Sequence, residues 1–225
     1  MDKNQLSIEV KKVIDTLGCS EIASYIDQSL IPPDPFRGRG EIKLLVLGQD
    51  PTVHNPKHRK ELKVTLLLNQ PGRLRRYMED VCNGLDLDLD ENVYATNLLK
   101  NFFTVPPDSL RKTKTEFFKK AADYWIPLLR DELEEFKNVP VLPLGEPVLN
   151  CLTKSPEEDL IRNYWGYEGP DQYGPNFSYI EPTENILSRV IFPFPHLPGR
   201  SHKIYQQQFD SYLAFMKKHI NPLSE

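Results

Sequence analysis

The sequence predicts an α/β fold, a three-layer α/β/α arrangement with a central, mostly parallel four-stranded sheet. Short apolar runs closed by polar, Gly or Pro residues alternate along the chain with longer segments of helical periodicity. Strands that alternate with helices are typical of a parallel sheet covered on both faces. A chain of 225 residues, 39% of them hydrophobic, is long enough to bury this core in a single domain spanning 1–225.

Apolar runs and helical spacing define the individual elements. The N-terminal region of about 1–35 has helical spacing until the proline-rich stretch 31–35 ends it. The predicted strands are 42–47, 93–96, 139–144 and 189–192. The predicted helices are 73–84, 109–136 with Asp108 or Ser109 as N-cap, one from Glu146, and 201–220. The Tyr-, Gly- and Pro-rich segment 163–182 is expected to be an inserted loop.

The charge composition bears on whether the protein binds nucleic acid. The 28 basic and 32 acidic residues give a net charge of −4, which does not by itself indicate a nucleic-acid-binding domain. Four basic clusters would form a phosphate track if they lie beside the predicted strand ends, although a solvated surface explains each one singly. They lie at 57–60, 73–76, 111–114 and 200–203.

The spacing of the cysteines indicates whether a metal site is expected, and the hydropathy of the chain indicates whether a membrane location is expected. The three cysteines are far apart and match no zinc or iron–sulfur spacing, so we expect reduced structural thiols. For the reaction implied by the motifs below, we expect no metal or organic cofactor. No apolar run approaches the ~20 residues that span a bilayer, and the N-terminus does not begin like a signal peptide. We therefore expect a cytoplasmic or nuclear protein, with no membrane partner.

Polar residues follow the predicted strands. Gly48-Gln49-Asp50-Pro51 closes the first strand, and Pro51 cannot continue a central strand because it has no backbone N–H. Asn97 follows the second strand, and the segment after the fourth strand ends at His196. Because parallel strands place their carboxyl ends at one edge, where open α/β sheets bind ligands, these side chains are expected to converge. An ordinary turn also explains Asp50-Pro51, and structural roles also explain Asn97 and His196.

Three motifs carry a family resemblance. The segment 48–54, Gly-Gln-Asp-Pro-Thr-Val-His, resembles the first active-site motif of the uracil-DNA glycosylase superfamily, best known as Gly-Gln-Asp-Pro-Tyr-His. The segment 93–100 resembles the strand that ends in the base-reading Asn in several branches. The segment 195–201, Pro-His-Leu-Pro-Gly-Arg-Ser, is similar to the late His-Pro-Ser motif in degraded form. Their order and spacing match from about 40 to 217.

The resemblance implies hydrolysis of the N-glycosidic bond of uracil, or of a related damaged base, in DNA. Asp50 would stabilise the oxocarbenium-like sugar and position water, and His196 would stabilise the departing base. No amine nucleophile is evident, so strand scission is not expected. The substrate-binding residues implied by the resemblance are Gly48, Gln49, Thr52, Leu66 and Asn97.

The chain departs from the family pattern at three places. Thr52 stands where the best-known branch has the Tyr that walls off the thymine methyl, and Leu66 stands at the position of the base-stacking Phe. Stacking would then be weaker or come from Phe102 or Phe103. The late motif has a second register in which Phe192 replaces the catalytic His. We prefer the register with His196, with His202 in the same loop as a fallback.

The loop that contains the third motif, residues 195–203 and here called the late loop, would also contact DNA. Leu197 is the expected wedge that fills the gap left by an extruded base, and Arg200 and Lys203 would hold flanking phosphates. A proline-rich loop packed on its own sheet is the alternative. The partner is thus expected to be DNA and the protein a monomer. Alternative functions are a catalytically weak or inactive nucleic-acid-binding relative and a small-molecule nucleotide hydrolase on the same fold.

Overall fold

The computed structural model describes residues 3–106, 114–154, 160–170, 172–197 and 202–220. The helices are α1 (Lys3–Leu17), α2 (Pro56–Arg59), α3 (Arg73–Gly84), α4 (Leu89–Asn92), α5 (Lys114–Leu133), α6 (Glu146–Leu152) and α7 (Lys203–Ile220). The strands are β1 (Ile26–Asp27), β2 (Phe36–Arg37), β3 (Leu44–Gly48), β4 (Val93–Asn97), β5 (Phe102–Phe103), β6 (Val141–Pro143), β7 (Trp165–Gly169) and β8 (Gln172–Phe177).

The mixed α/β class is confirmed. A four-stranded sheet has the order β2-β4-β3-β6, in which β3 pairs in parallel with both β4 and β6. Every residue of β3 and β4 is buried, as expected for strands covered on both faces. Buried side chains from Leu6 to Met216 form one hydrophobic cluster around this sheet.

The strands that form the sheet differ in part from those predicted. The edge strand is the short β2, which runs antiparallel to β4 and which the sequence analysis missed. The predicted strand at 189–192 joins the sheet only through isolated parallel bridges, Val141 to Ile191 and Leu144 to Phe194. Prolines at 193 and 195 lack the N–H groups that a regular ladder needs, which explains the interruption.

One other element differs from expectation, and two helices match it. The segment 163–182 is largely a β-hairpin of β7 and β8 rather than a loop, and its Trp165 stacks on Tyr212 of α7 with ring centroids 4.2 Å apart. Among described residues, the predicted helix at 109–136 is observed as α5, and its expected N-caps at 108 and 109 lie outside them. Helix α3 coincides with the predicted 73–84. In the described part of the chain, no helix has the length and apolarity needed to cross a bilayer.

Candidate active site

The carboxyl ends of three neighbouring chain segments lie side by side. Gly48 at the end of β3 is in register with Asn97 at the end of β4. Pairing continues beyond the strands, since the Leu98 N–H donates to the Gly48 carbonyl at 2.8 Å. On the other side of β3, the Leu144 N–H donates to the Leu47 carbonyl at 2.9 Å. The sheet therefore brings the first two motifs to one edge.

Gly48 allows its neighbours to approach the backbone closely. A Cβ atom at this position would lie 2.4 Å from Asn97 Oδ1 and 2.7 Å from Leu66 Cδ2. Both distances are shorter than any carbon contact that packing tolerates, so a side chain would displace one neighbour or the other. Three residues that the sequence analysis assigned to base binding are thus gathered at one point: Gly48, Leu66 and Asn97.

The Asn97 amide is the unsatisfied polar group of this edge. The residue is 3% exposed, and no described residue donates a hydrogen bond to its Oδ1. Leaving a buried acceptor without a donor costs about 1–3 kcal/mol. Such groups are rare in native proteins, and a bound donor is one explanation.

Leu66, which lies beside this amide, has an unusual backbone conformation. Its φ and ψ are 57° and 12°, and the φ of the following Leu67 is 53°. The left-handed conformation costs a residue with a branched side chain about 1 kcal/mol or more. The turn is held from both sides, because the Thr65 N–H donates to the Asp34 carbonyl at 2.8 Å and the Leu67 N–H to the Val64 carbonyl at 3.1 Å. Strain of this kind concentrates at functional sites.

Asp50 lies in a tight turn just past the end of β3. Its Oδ1 accepts the Thr52 N–H at 2.8 Å, and its Oδ2 accepts the Gln49 amide Nε2 at 3.0 Å. The carboxylate is half-buried and is oriented by these two hydrogen bonds, two residues beyond the end of β3. The Thr52 hydroxyl accepts the Phe103 N–H at 2.8 Å, so it ties the turn to β5.

His196 follows the segment that bridges to β6. A Cβ built on Gly145, directly after β6, would lie 3.4 Å from the His196 Cβ. The imidazole has solvent access, but surrounding protein removes enough water to lower its pKa, which favours the neutral ring at neutral pH. In the strand order, three inter-strand steps of about 4.8 Å, or about 14 Å, separate the backbones of Asn97 and His196. Two strands lie between them, and Asp50 follows β3, the one next to β4.

Side chains that the sequence analysis did not select hold the His196 segment in place. The Trp165 indole N–H donates to the Pro193 carbonyl and the Tyr77 hydroxyl to the Pro195 carbonyl, both at 2.8 Å. The Gly145 N–H donates to the Phe194 carbonyl at 2.8 Å. Three successive carbonyls are thereby satisfied without a regular strand. No local pattern indicates these contacts, since Tyr77 is 118 residues from Pro195.

The aromatic alternatives are all buried. Phe102 and Phe103 are at most 1% exposed, so neither offers an open face for stacking in this structure. Phe192 is fully buried against Tyr179 and Phe215, at centroid distances of 5.6 and 6.3 Å. Phe192 therefore has a core role, whereas His196 and the fallback His202 are both exposed.

Part of the expected phosphate track is internal. The guanidinium of Arg59 is buried and donates to the carbonyls of Val53, Phe103 and Thr104. Arg75 pairs with Glu79 and with Asp90, whose carboxylate raises the Arg75 pKa. These two side chains therefore hold the fold together rather than face a ligand, which corrects that part of the prediction.

The late loop is described only in part. Leu197 is half-buried and packs against the hydrophobic cluster, and Lys203 is the exposed first residue of α7. Arg200 lies outside the described residues, as do Arg111 and Lys112. The expected wedge thus rests on the core, and one of the two expected phosphate contacts is open to solvent.

A cavity of about 440 Å³ adjoins the far side of β4. Asn97, Thr96, Thr65 and Lys100 line its inner end, and α1 and the proline-rich stretch at 31–35 line the rest. Its size is typical of small-molecule sites. Neither Asp50 nor His196 lines it, so Asn97 is the residue that it shares with the predicted site.

A buried polar network under Asn97 was missed by the sequence analysis. Lys100 Nζ lies 2.7 Å from Glu132 Oε2, and the Tyr94 hydroxyl donates to Glu132 Oε1 at 2.7 Å. A lysine within the apolar stretch 98–103 is the signal that would have indicated a buried partner. Across the described ranges, no group of three or more His, Cys, Asp or Glu residues is arranged to hold a metal ion.

Comparison with known proteins adds no relative. No family model matches the chain, and no curated protein matches it significantly. The resemblance to the uracil-DNA glycosylase superfamily therefore depends on the three sequence motifs alone.

Proposed function

We propose that this chain is a monofunctional DNA glycosylase that hydrolyses the N-glycosidic bond of uracil, or of a related damaged base, in DNA. The observation that carries the proposal is the buried Asn97 Oδ1, which accepts no hydrogen bond within the described chain. An amide can both donate to and accept from a base edge. The imide of uracil offers an N–H beside a carbonyl, which is the complement of this side chain.

Asp50 supplies the charge that the reaction needs. N-glycosidic cleavage builds positive charge on the sugar and negative charge on the departing base. A carboxylate fixed by two hydrogen bonds is preorganised to stabilise the cationic sugar and to orient water. Gln49 helps to hold it and, by resemblance, contacts the base.

His196 stabilises the departing base. Its lowered pKa keeps the imidazole neutral near pH 7, so its N–H can donate to a base oxygen as negative charge develops there. The Tyr77 and Trp165 hydrogen bonds fix the segment that carries it. Such fixed donors need no reorganisation during the reaction.

Leu66 and Gly48 shape the base slot. The Leu66 side chain lies beside Gly48 and the Asn97 amide. It would pack against one face of a base held by that amide, as an apolar contact without a π system. The left-handed backbone of Leu66 and Leu67 supports a functional role for this turn, because such strain concentrates at functional sites.

Delivery of the base requires extrusion from the helix. We assign Leu197 as the wedge, with Arg200 and Lys203 on flanking phosphates. The proposal also includes the three-layer arrangement, which is supported by contacts of α5 with α1 and α6 and of α3 with α7. DNA in the cytoplasm or nucleus is the expected partner of a monomeric protein.

Release of free base from a strand tests the proposal. The protein is incubated with single- and double-stranded oligonucleotides that carry one uracil, and abasic sites are then cleaved with alkali. Cleavage at the uracil position, with free uracil recovered, is the expected result. Binding to the uracil strand with no base released would instead indicate the inactive relative.

Asp50→Asn is expected to lower turnover by about a hundredfold or more, because the amide keeps the turn but loses the charge. Binding to uracil-containing DNA should be retained. Asp88→Asn is the matched control, since it removes one exposed carboxylate at the N-cap of α4 while Asn still caps. Equal turnover of Asp50→Asn and the wild type would remove Asp50 from the chemistry.

A small-molecule nucleotide hydrolase is the second candidate. The cavity of about 440 Å³ that shares Asn97 favours it, because free nucleosides fit a volume of this size. It predicts hydrolysis of free deoxyuridine derivatives at rates that exceed those on an oligonucleotide. The same assay with both substrates in competition separates the two functions.

A further inference from the structure

The buried ion pair beneath β4 has a role in the site. We propose that Lys100 is a positioning residue that fixes the Asn97 amide, and that Glu132 of α5 holds Lys100 in place. This inference rests on the proposed function only for its effect on base choice. The positioning itself is a property of the unliganded protein and is tested without any substrate.

The pair is deeply buried. The side chains of Lys100 and Glu132 are 7% and 2% exposed, with 2.7 Å between Nζ and Oε2. The Tyr94 hydroxyl donates a hydrogen bond to the other carboxylate oxygen at 2.7 Å, whereas Oε2 has only the ion-pair contact with Lys100. Removing one member of a buried pair leaves an uncompensated charge and is strongly destabilising. The network is thus rigid and connects α5 to the end of β4.

Lys100 acts on the residue that carries the candidate amide. Its Nζ donates to the Asn97 carbonyl oxygen at 3.2 Å and also contacts Thr96 Oγ1. From the side of β3, the Gly48 carbonyl accepts the Leu98 N–H at 2.8 Å. The peptide that follows Asn97 is therefore fixed through its carbonyl by Lys100 and through its N–H by β3.

This restraint matters because base reading depends on angle. Hydrogen-bonding groups must be held within about 0.5 Å and 10–20° of the productive geometry to discriminate between ligands. Asn97 is the last residue of β4, and its backbone direction sets the direction of the amide. A buried ion pair is seldom the most stable way to fill such a space. Its presence directly under Asn97 is explained by the need to hold that residue.

The double variant Lys100→Met/Glu132→Gln removes both charges together, and the amide oxygen of the introduced glutamine can still accept from the Tyr94 hydroxyl. We expect the side-chain amide signals of Asn97 in ¹⁵N-edited NMR spectra of the free protein to shift or broaden. The signals of Asn185, which donates to the Glu181 and Arg189 carbonyls, should stay in place.

Arg189→Met is the matched control. Arg189 is another part-buried cation whose guanidinium holds carbonyls, those of Leu133 and Phe136, away from the candidate site. This variant should move the Asn185 signals and leave those of Asn97 unchanged. Unchanged Asn97 signals in Lys100→Met/Glu132→Gln, or equal changes in both variants, would overturn the positioning role.

Base choice provides the second readout. Where the wild type releases uracil, the double variant should lose about tenfold of its preference in kcat/KM for uracil over cytosine, while Arg189→Met keeps it. Retention of that preference would overturn the effect on base reading. If the wild type releases no base, the proposed function fails, and the NMR comparison still decides the positioning role.

Thr96→Val keeps the test decisive if the double variant does not fold. It removes one polar contact of Lys100 and leaves the ion pair intact. A smaller change in the same direction at the Asn97 amide is expected. No change at that amide, with the fold retained, would contradict the inference.

Discussion

At the scale of single residues, the absence of a side chain at Gly48 lets Asn97 and Leu66 approach the end of β3 closely. Asn97 Oδ1 and Leu66 Cδ2 occupy the space that a Cβ would need. The buried, unpaired amide and the left-handed Leu66 each cost free energy in the isolated protein. Stability alone would favour residues without these costs, so their coincidence at one point supports the proposed base-binding site.

Gly48→Ser is expected to destabilise the protein by about 1–3 kcal/mol, because the new side chain must displace Asn97 or Leu66. Urea denaturation measures the change. Gly72→Ser is the control, since the nearest atom to its new Cβ is 4.0 Å away and Ser is a preferred N-cap for α3. Equal destabilisation of both variants would show that close approach at Gly48 is unimportant.

His196 gives a prediction for the pH dependence of stability. Its folded pKa is lowered, so the unfolded chain binds its proton more readily and stability falls as the pH drops through the unfolded value of about 6.5. His196→Gln should reduce this loss. Denaturation of both proteins at pH 7.5 and pH 5.0 measures it, and identical losses would mean that the imidazole is not desolvated.

At the scale of elements, the edge formed by the carboxyl ends of the parallel strands also includes one segment that is not a regular strand. Strands β3, β4 and β6 could be predicted because buried parallel strands are short continuous apolar runs. The segment after Val190 is also a short apolar run and therefore predicts a strand, but its prolines restrict it to isolated bridges. Its order depends on Trp165 and Tyr77, which no local pattern relates to it.

Tyr77→Phe is expected to cost about 1–3 kcal/mol, because it leaves the Pro195 carbonyl without its buried donor. Turnover should also fall, since the His196 segment loses an anchor. Stability and kcat measured together test this. Tyr212→Phe is the control, because that hydroxyl makes only a 3.4 Å contact with the Ser178 carbonyl. A kcat loss in the control as large as in Tyr77→Phe would contradict the anchoring role.

At the scale of the whole molecule, the sheet brings segments that are far apart in the sequence, those that end at Gly48, Asn97 and Phe194, into one ordered array. The register of Gly48 with Asn97 and the contact of His196 with Gly145 follow from the order of the parallel segments. That order could be anticipated because parallel strands share a carboxyl edge. Strand number and the hairpin at 165–177 could not, since short strands carry little periodicity.

Charge was the least predictable property. Sequence clustering does not distinguish an arginine that faces solvent from one, such as Arg59, that holds internal carbonyls. Lys100 and Glu132 are 32 residues apart, so nothing local indicates that they pair. Long-range electrostatic partners are set by packing, which the pattern of apolar residues specifies only in part.

The central claim is that Asp50, Asn97 and His196 surround one extruded base. The most direct test is a crystal structure of the protein with an oligonucleotide that carries a non-hydrolysable 2′-fluorinated deoxyuridine. The account predicts an extruded uracil whose imide N–H donates to Asn97 Oδ1, with its sugar beside Asp50 and a carbonyl oxygen facing His196. A uracil that stays stacked in the strand, or that binds away from this sheet edge, would contradict it.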